Sequence, residues 1–125
     1  MSVYLDTHIA VWLYCGQTER LSKRAASLIN REQVGVSPIV LLELQYLREI
    51  GRVTALPKAI IMDLRRRLGL AVEDRSMETV TERALELTWS RDVFDRLIVA
   101  QAELDNAELV TSDRLVRKHY PKAVW

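Results

Sequence analysis

Apolar positions along this chain fall into two patterns: short continuous runs, and longer stretches that repeat every three to four residues. Val3-Tyr4-Leu5, Val34-Gly35-Val36, Leu70-Ala71-Val72 and Leu109-Val110-Thr111 are runs of strand length, with Ala123-Val124-Trp125 as a terminal candidate. After the first run, Ile9, Trp12 and Leu13 recur at helical spacing until Gly16, and Ser22 stands as the N-cap of a helix to about Asn30. Ser37-Pro38 is a favoured helix start, and periodic residues reach Ile50 before Gly51 closes that element. Leu56-Pro57 opens a helix through Ile60, Ile61, Leu64 and Leu68 that ends at Gly69. Ser76 caps the next, on which Met77, Val80, Ala84 and Leu87 predict a core-facing stripe. Leu97 to Leu104 is helical and strongly apolar, and Asp113 to His119 reads as a short helix. Short strands alternating with helices predict an α/β fold with a mostly parallel central sheet covered on both faces.

The 125 residues suffice for one real core and not for two, so a single domain over residues 1–125 is expected. With 49% hydrophobic and 28% charged residues, the composition belongs to a globular protein and excludes a disordered or fibrous one. No apolar run approaches the roughly 18 residues of a membrane span, and the N-terminus lacks a signal-type core, which predicts a cytoplasmic protein without a membrane partner. The lone Cys15 has no disulfide partner, and two distant histidines, His8 and His119, supply too few soft ligands for zinc. A net charge of +1 gives little overall steering toward nucleic acid. Two local basic clusters stand out, Arg65-Arg66-Arg67 and the set Arg114, Arg117, Lys118 and Lys122; each reads either as a solvated helix face or as a phosphate contact.

Chemistry enters with carboxylates in unexpected places. Asp6 and Asp113 follow the first and fourth strands, at the carboxyl ends where ligand sites form in open parallel sheets, although each is equally a natural helix cap. Glu43 is harder to dismiss, because its helical neighbours are Ile39, Val40, Tyr46 and Leu47 and the nearest basic residue, Arg48, lies off that face. Asp95 shares a face with Ile98, Val99 and Ala102; Asp92 is better placed as the N-cap of that helix, with Asp95 at its third position. Hydroxyls accompany the acids: Thr7, Ser37, Thr111 and Ser112. Capping suits Ser37 and Ser112, whereas Thr7 and Thr111 are candidates to hold water or phosphate.

Were the four acids to converge, like charges about 4 Å apart at an effective dielectric near 20 would repel by roughly 4 kcal/mol per pair. A dication removes that penalty, and carboxylate ligands suit Mg²⁺ or Mn²⁺. Such a cation polarises a phosphoryl oxygen and acidifies water, so the implied reaction is phosphodiester hydrolysis.

Taken together, Asp6-Thr7-His8, Ser37 with Glu43, Asp92-Val93-Phe94-Asp95-Arg96 and Thr111-Ser112-Asp113 resemble the PIN-domain ribonucleases, and among these the toxin components of bacterial VapBC-type toxin–antitoxin modules. The resemblance spans nearly the whole chain, including the closing Tyr120-Pro121-Lys122-Ala123-Val124-Trp125 segment. It implies a PIN-like α/β sandwich and a Mg²⁺- or Mn²⁺-dependent endoribonuclease in which Asp6, Glu43, Asp95 and Asp113 are the catalytic, metal-binding acids. It also implies a homodimer and a small antitoxin that blocks the cleft, with higher hetero-oligomers open to the pair. Val93 stands where such toxins often carry proline, which alters how the helix begins but removes no ligand. Arg96, beside Asp95, reads as a group orienting that carboxylate, as a phosphate contact, or as half of a surface salt bridge. The apolar residues Ile60, Ile61 and Leu64 read as core or as a dimer or antitoxin surface, and Trp12, Trp89 and Trp125 as core.

Two other readings stay open at this level. One keeps the acidic site and makes DNA or a small phosphoester the substrate; the other is a non-catalytic module of the same fold that binds RNA or protein. A Walker-type phosphate loop is absent, and no Ser-His-Asp pattern competes.

Overall fold

The computed structural model describes residues 2–125. Five strands, β1 (Val3–Leu5), β2 (Val34–Val36), β3 (Ala71–Val72), β4 (Leu109–Val110) and β5 (Ala123–Val124), form one sheet in the order β3-β2-β1-β4-β5. Every pairing is parallel. Seven α-helices among the described residues connect them: α1 (Thr7–Tyr14), α2 (Lys23–Arg31), α3 (Ile39–Glu49), α4 (Pro57–Leu68), α5 (Met77–Ala84), α6 (Val93–Leu104) and α7 (Arg114–His119). Every residue of β1 and β2 is buried, as expected of strands covered on both faces, while the edge strands β3 and β5 are only partly buried. Helix α1 packs against α3 and α4, and α3 against α6, which lies along α5.

The topology creates the place for a site. The chain moves outward from β1 to β2 and β3, then returns through α5 and α6 to lay β4 on the other side of β1. The crossover direction therefore reverses between β1 and β4, and the crevice beyond the carboxyl ends of these strands is where such sheets bind ligands. Asp6 and the Thr111-Ser112-Asp113 turn sit at those two ends.

Local chemistry explains most boundaries. Ser22 and Ser76 each accept a backbone N–H three residues on, from Ala25 at 3.0 Å and Thr79 at 3.3 Å, and so cap α2 and α5. Pro38 already has helical backbone angles, and the Ser37 hydroxyl accepts from Ile39 N at 3.4 Å, so the expected Ser-Pro start of α3 is present. Gly69 ends α4 in the left-handed conformation at φ 70°, which any side chain would strain.

Several expectations need correction. Met77 is 63% exposed: it is the first residue of α5, beyond the reach of the core that Val80 and Ala84 enter. Leu87 is buried, but in the turn after that helix. Ile60, Ile61 and Leu64 are all buried core residues, which removes them as a docking surface. The three tryptophans are half-buried at the margin of the core rather than inside it. No helix among the described residues is long and apolar enough to cross a membrane.

Candidate metal centre

Each of the four acids is placed by a different element. Asp6 follows β1 and is the N-cap of α1, Glu43 projects from the middle of α3, Asp95 lies in the first turn of α6, and Asp113 follows β4 as the N-cap of α7. All four line one cleft of about 280 Å³, together with His8, Trp12, Asp92 and Ser112. Among the described residues no lysine or arginine lines it. The sequence presents capping and site roles for Asp6 and Asp113 as alternatives, but both residues combine them. Thr7 N donates to Asp6 Oδ1 at 2.8 Å, and Leu115 N and Val116 N donate to Asp113 Oδ1 at 2.8 and 3.1 Å.

Hydroxyl groups hold the carboxylates. Thr111 Oγ1 donates to Asp6 Oδ2 at 2.6 Å and accepts from Asp113 N at 3.1 Å, so one side chain ties two of the acids together. The Thr7 hydroxyl donates to the Glu43 carboxylate across the α1–α3 contact. Both threonines are fully buried, which fixes these donors in place. Ser112 lines the cleft but does not cap α7; Asp113 does. The expected cap at Asp92 is present, since its Oδ1 accepts from Asp95 N at 3.1 Å, and its carboxylate also faces the cleft.

Among the described residues, His8, exposed at the cleft, is the one positive group that opposes the charges of Asp6 and Glu43, and no lysine or arginine joins it. Glu43 is 8% exposed and Asp6 7%, and neither forms an ion pair among the described residues. Burial pushes the Asp6 carboxyl above its ordinary range, against the opposing hydrogen bonds from Thr111 and Thr7. Burial likewise raises Glu43, opposed by the Thr7 hydroxyl and reinforced by Asp6 and Asp92. Asp95 is pushed up to about 8, first by burial and then by the charges of Asp6, Asp92, Asp113 and Glu43. A set of acids that suppress one another's ionisation is a mark of a functional site.

Among the described residues no three acids are drawn close enough to form a finished cation cage. The donor set nonetheless fits a hard dication: carboxylate oxygens predominate, and among the described residues no lysine or arginine lines the cleft to satisfy them. Within the same residues, neither oxygen of Asp95 has a protein donor, and Glu43 and Asp113 each keep one oxygen without one.

Arg96 is engaged elsewhere. Its guanidinium donates to Ala84 O at 2.9 and 3.1 Å and to Leu85 O at 3.3 Å, closing the carbonyl end of α5, and makes no hydrogen bond to Asp95. Its role is to pin the start of α6 against the end of α5. Arg96→Ala is therefore expected to destabilise the fold by about 1–3 kcal/mol in urea unfolding, since it removes charge-assisted hydrogen bonds to the carbonyls that end α5. His8 and Trp12 also line the cleft, a role that the sequence reading does not give them. The usable signal is their i, i+4 spacing directly after Asp6, which puts both on the cleft side of α1.

Comparison with known proteins agrees with this geometry. The PIN domain family matches residues 3–120. Ribonuclease VapC22 of Mycobacterium tuberculosis (strain ATCC 25618 / H37Rv) is 32% identical over 129 residues, which span 99% of this chain and 98% of that protein. Among solved structures, VapBC2 from Rickettsia felis bound to a DNA fragment of its promoter aligns with a TM-score of 0.63 at 24% identity, covering 94% of this chain and 92% of that one. A toxin–antitoxin complex from Klebsiella pneumoniae aligns equally well, with a TM-score of 0.63 at 20% identity over 99% and 97% of the two chains. At these identities the structural likeness speaks for the fold.

Proposed function

From its membership of the PIN-domain family, to which this chain belongs, we propose that it is a Mg²⁺- or Mn²⁺-dependent endoribonuclease, the toxin of a toxin–antitoxin pair acting in the cytoplasm, with residues 1–125 forming one nuclease domain. The observation that carries this reading is the gathering of Asp6, Glu43, Asp95 and Asp113 from four separate segments into one cleft that, among the described residues, no lysine or arginine lines. Its nearly full-length relative is a ribonuclease by name.

In this reading the four acids hold the cation, which supplies the Lewis acidity that phosphodiester hydrolysis needs. Thr7 and Thr111 are positioning residues. Each presents a hydroxyl proton to one carboxylate, Glu43 or Asp6, and so fixes the direction in which that acid faces the cleft. Thr7→Val keeps the buried shape and removes only the donor, so cleavage is expected to fall about 10- to 100-fold, the usual cost of losing a group that orients a metal ligand. Initial rates under saturating Mn²⁺ would check this; an unchanged rate would assign Thr7 to packing alone.

The partner in this reading is a small antitoxin protein, since both aligned structures come from toxin–antitoxin assemblies. Leu42, Tyr46 and Val93, at 58%, 48% and 65% exposure, offer apolar surface beside Glu43 and Asp95 on which an antitoxin or a second copy of the chain can settle. The direct test of the activity is incubation of the purified chain with a structured RNA, a single-stranded DNA and a chromogenic phosphodiester, each with Mg²⁺, Mn²⁺ or EDTA. RNA cleavage that EDTA stops is the expected result. Cleavage confined to DNA would change the substrate, and no metal-dependent cleavage of any of the three would leave a binding module.

A further inference from the structure

A second concavity, of about 470 Å³, opens between α2, α7 and β5 and is lined by Arg24, Arg114, Arg117, Lys118, Ala123 and Trp125. Arg114, Arg117 and Lys118 stand at i, i+3 and i+4 on α7, one face of the helix, and Arg24 meets them from α2. Among the described residues none of these four cations has an acid partner or a hydrogen bond, whereas Arg66 and Arg67 of the other basic cluster are paired with Asp63. Lys122 turns away from the pocket and donates to Asn106 O at 3.1 Å. Four like charges converging without a counter-charge repel one another, and a polyanion is the ligand that relieves this.

The pocket is also joined to the acidic cleft. Trp125, which lines the pocket, lies 6.0 Å centroid to centroid from Trp12, which lines the cleft, and the Arg20 guanidinium sits 5.4 Å over the Trp12 ring. Arg114 follows Asp113 directly, so cleft and pocket meet along one stretch of backbone. Cations interleaved with aromatic rings form the usual surface for single-stranded nucleic acid, in which bases stack while phosphates are neutralised. A cleft of carboxylates repels an RNA backbone, so holding one there calls for an attractive site alongside.

We propose that this basic pocket binds the phosphates of a single-stranded RNA segment that flanks the bond presented to the acidic cleft, with Trp12 and Trp125 forming the bridge between the two. The position beside the scissile bond rests on the nuclease reading, but the binding itself is measurable without cleavage. Fluorescence anisotropy of a 5′-fluorescein single-stranded RNA of about 12 nucleotides, in EDTA, reads it directly on the full chain. Arg117→Glu is expected to raise Kd about tenfold or more and to lower the slope of log K against log salt by about 0.7, the share of one neutralised phosphate. Arg65→Glu changes the net charge equally on α4 and is expected to shift Kd less than about twofold, because it lies outside the pocket. Arg24→Gln, on a different helix and with a gentler change, is expected to weaken binding in the same direction, which guards against a folding artefact in α7.

Equal effects of Arg117→Glu and Arg65→Glu would overturn the pocket, as would wild-type chain that fails to bind the RNA at low salt or binds duplex RNA as tightly. The two readings fail separately. Cleavage that depends on the acids with binding indifferent to Arg24 and Arg117 sinks only the pocket; pocket-dependent binding with no metal-dependent cleavage sinks only the nuclease.

Discussion

Glu43→Gln is expected to reduce RNA cleavage by at least about 10³-fold, equivalent to about 4 kcal/mol of barrier, while the chain stays folded. The substitution is nearly isosteric, and the Thr7 hydroxyl still finds a carbonyl oxygen to donate to, so the packing of α1 on α3 survives. What disappears is one negative charge from a cleft that, among the described residues, no lysine or arginine lines. A structural glutamate would behave in the opposite way: removing a buried, unpaired charge from an apolar surround would leave activity intact and raise stability. Rates measured across a Mn²⁺ titration separate the two, and activity within tenfold of wild type at every Mn²⁺ concentration would rule out the ligand role.

Glu43 is also the acid most legible in the sequence. Helical periodicity alone puts it among Ile39, Val40 and Leu47 with no cation on its face, and it is indeed buried, with no ion pair among the described residues. Asp6 and Asp113 are ambiguous in sequence for a physical reason: an aspartate after a strand caps a helix and faces the crevice with the same carboxylate, so the two roles do not compete. Element order and type are readable because Gly, Pro and Ser punctuate many of the boundaries, and the alternation of strand and helix leaves a parallel sheet as the natural solution. The destination of a long side chain is not readable. Arg96 sits beside Asp95 in sequence yet spends its donors on carbonyls of α5, an arrangement created by tertiary packing. Likewise the basic residues of α7 are visible as a cluster, but Arg24 joins them from a distant helix and Lys122 leaves them.

The second large effect concerns stability. Asp95 holds its proton to about pH 8 in the folded chain, against an ordinary value of 3.8. Between those values the native state carries a proton that the unfolded state has released, so folding is favoured by protonation there. This stabilisation is fully present below about pH 4 and is lost as pH rises through about 8. In EDTA, thermal stability of the wild type is therefore expected to decline from pH 5 to pH 9. Asp95→Asn removes the charge and should flatten that decline, leaving the variant about 2 kcal/mol more stable than wild type at pH 9, after allowance for the partial exposure of the site. For a chain of this size that is a rise in Tm of roughly 5 °C or more. The same variant is expected to lose cleavage activity, a trade of function for stability typical of crowded acidic sites. Differential scanning calorimetry at several pH values decides; an Asp95→Asn variant less stable than wild type at pH 9 would mean the carboxylate has a stabilising partner in the fold.

Both effects follow from one central claim, that four carboxylates with no lysine or arginine beside them among the described residues are arranged for a divalent cation. Titration calorimetry of Mn²⁺ into the metal-free chain at pH 8, for the wild type and for Glu43→Gln, measures this most directly. Saturable binding by the wild type that weakens at least about tenfold in the variant is the expected result, because each missing anionic ligand removes attraction and coordination together. Wild-type heats indistinguishable from dilution, or binding that Glu43→Gln leaves unchanged, would contradict it.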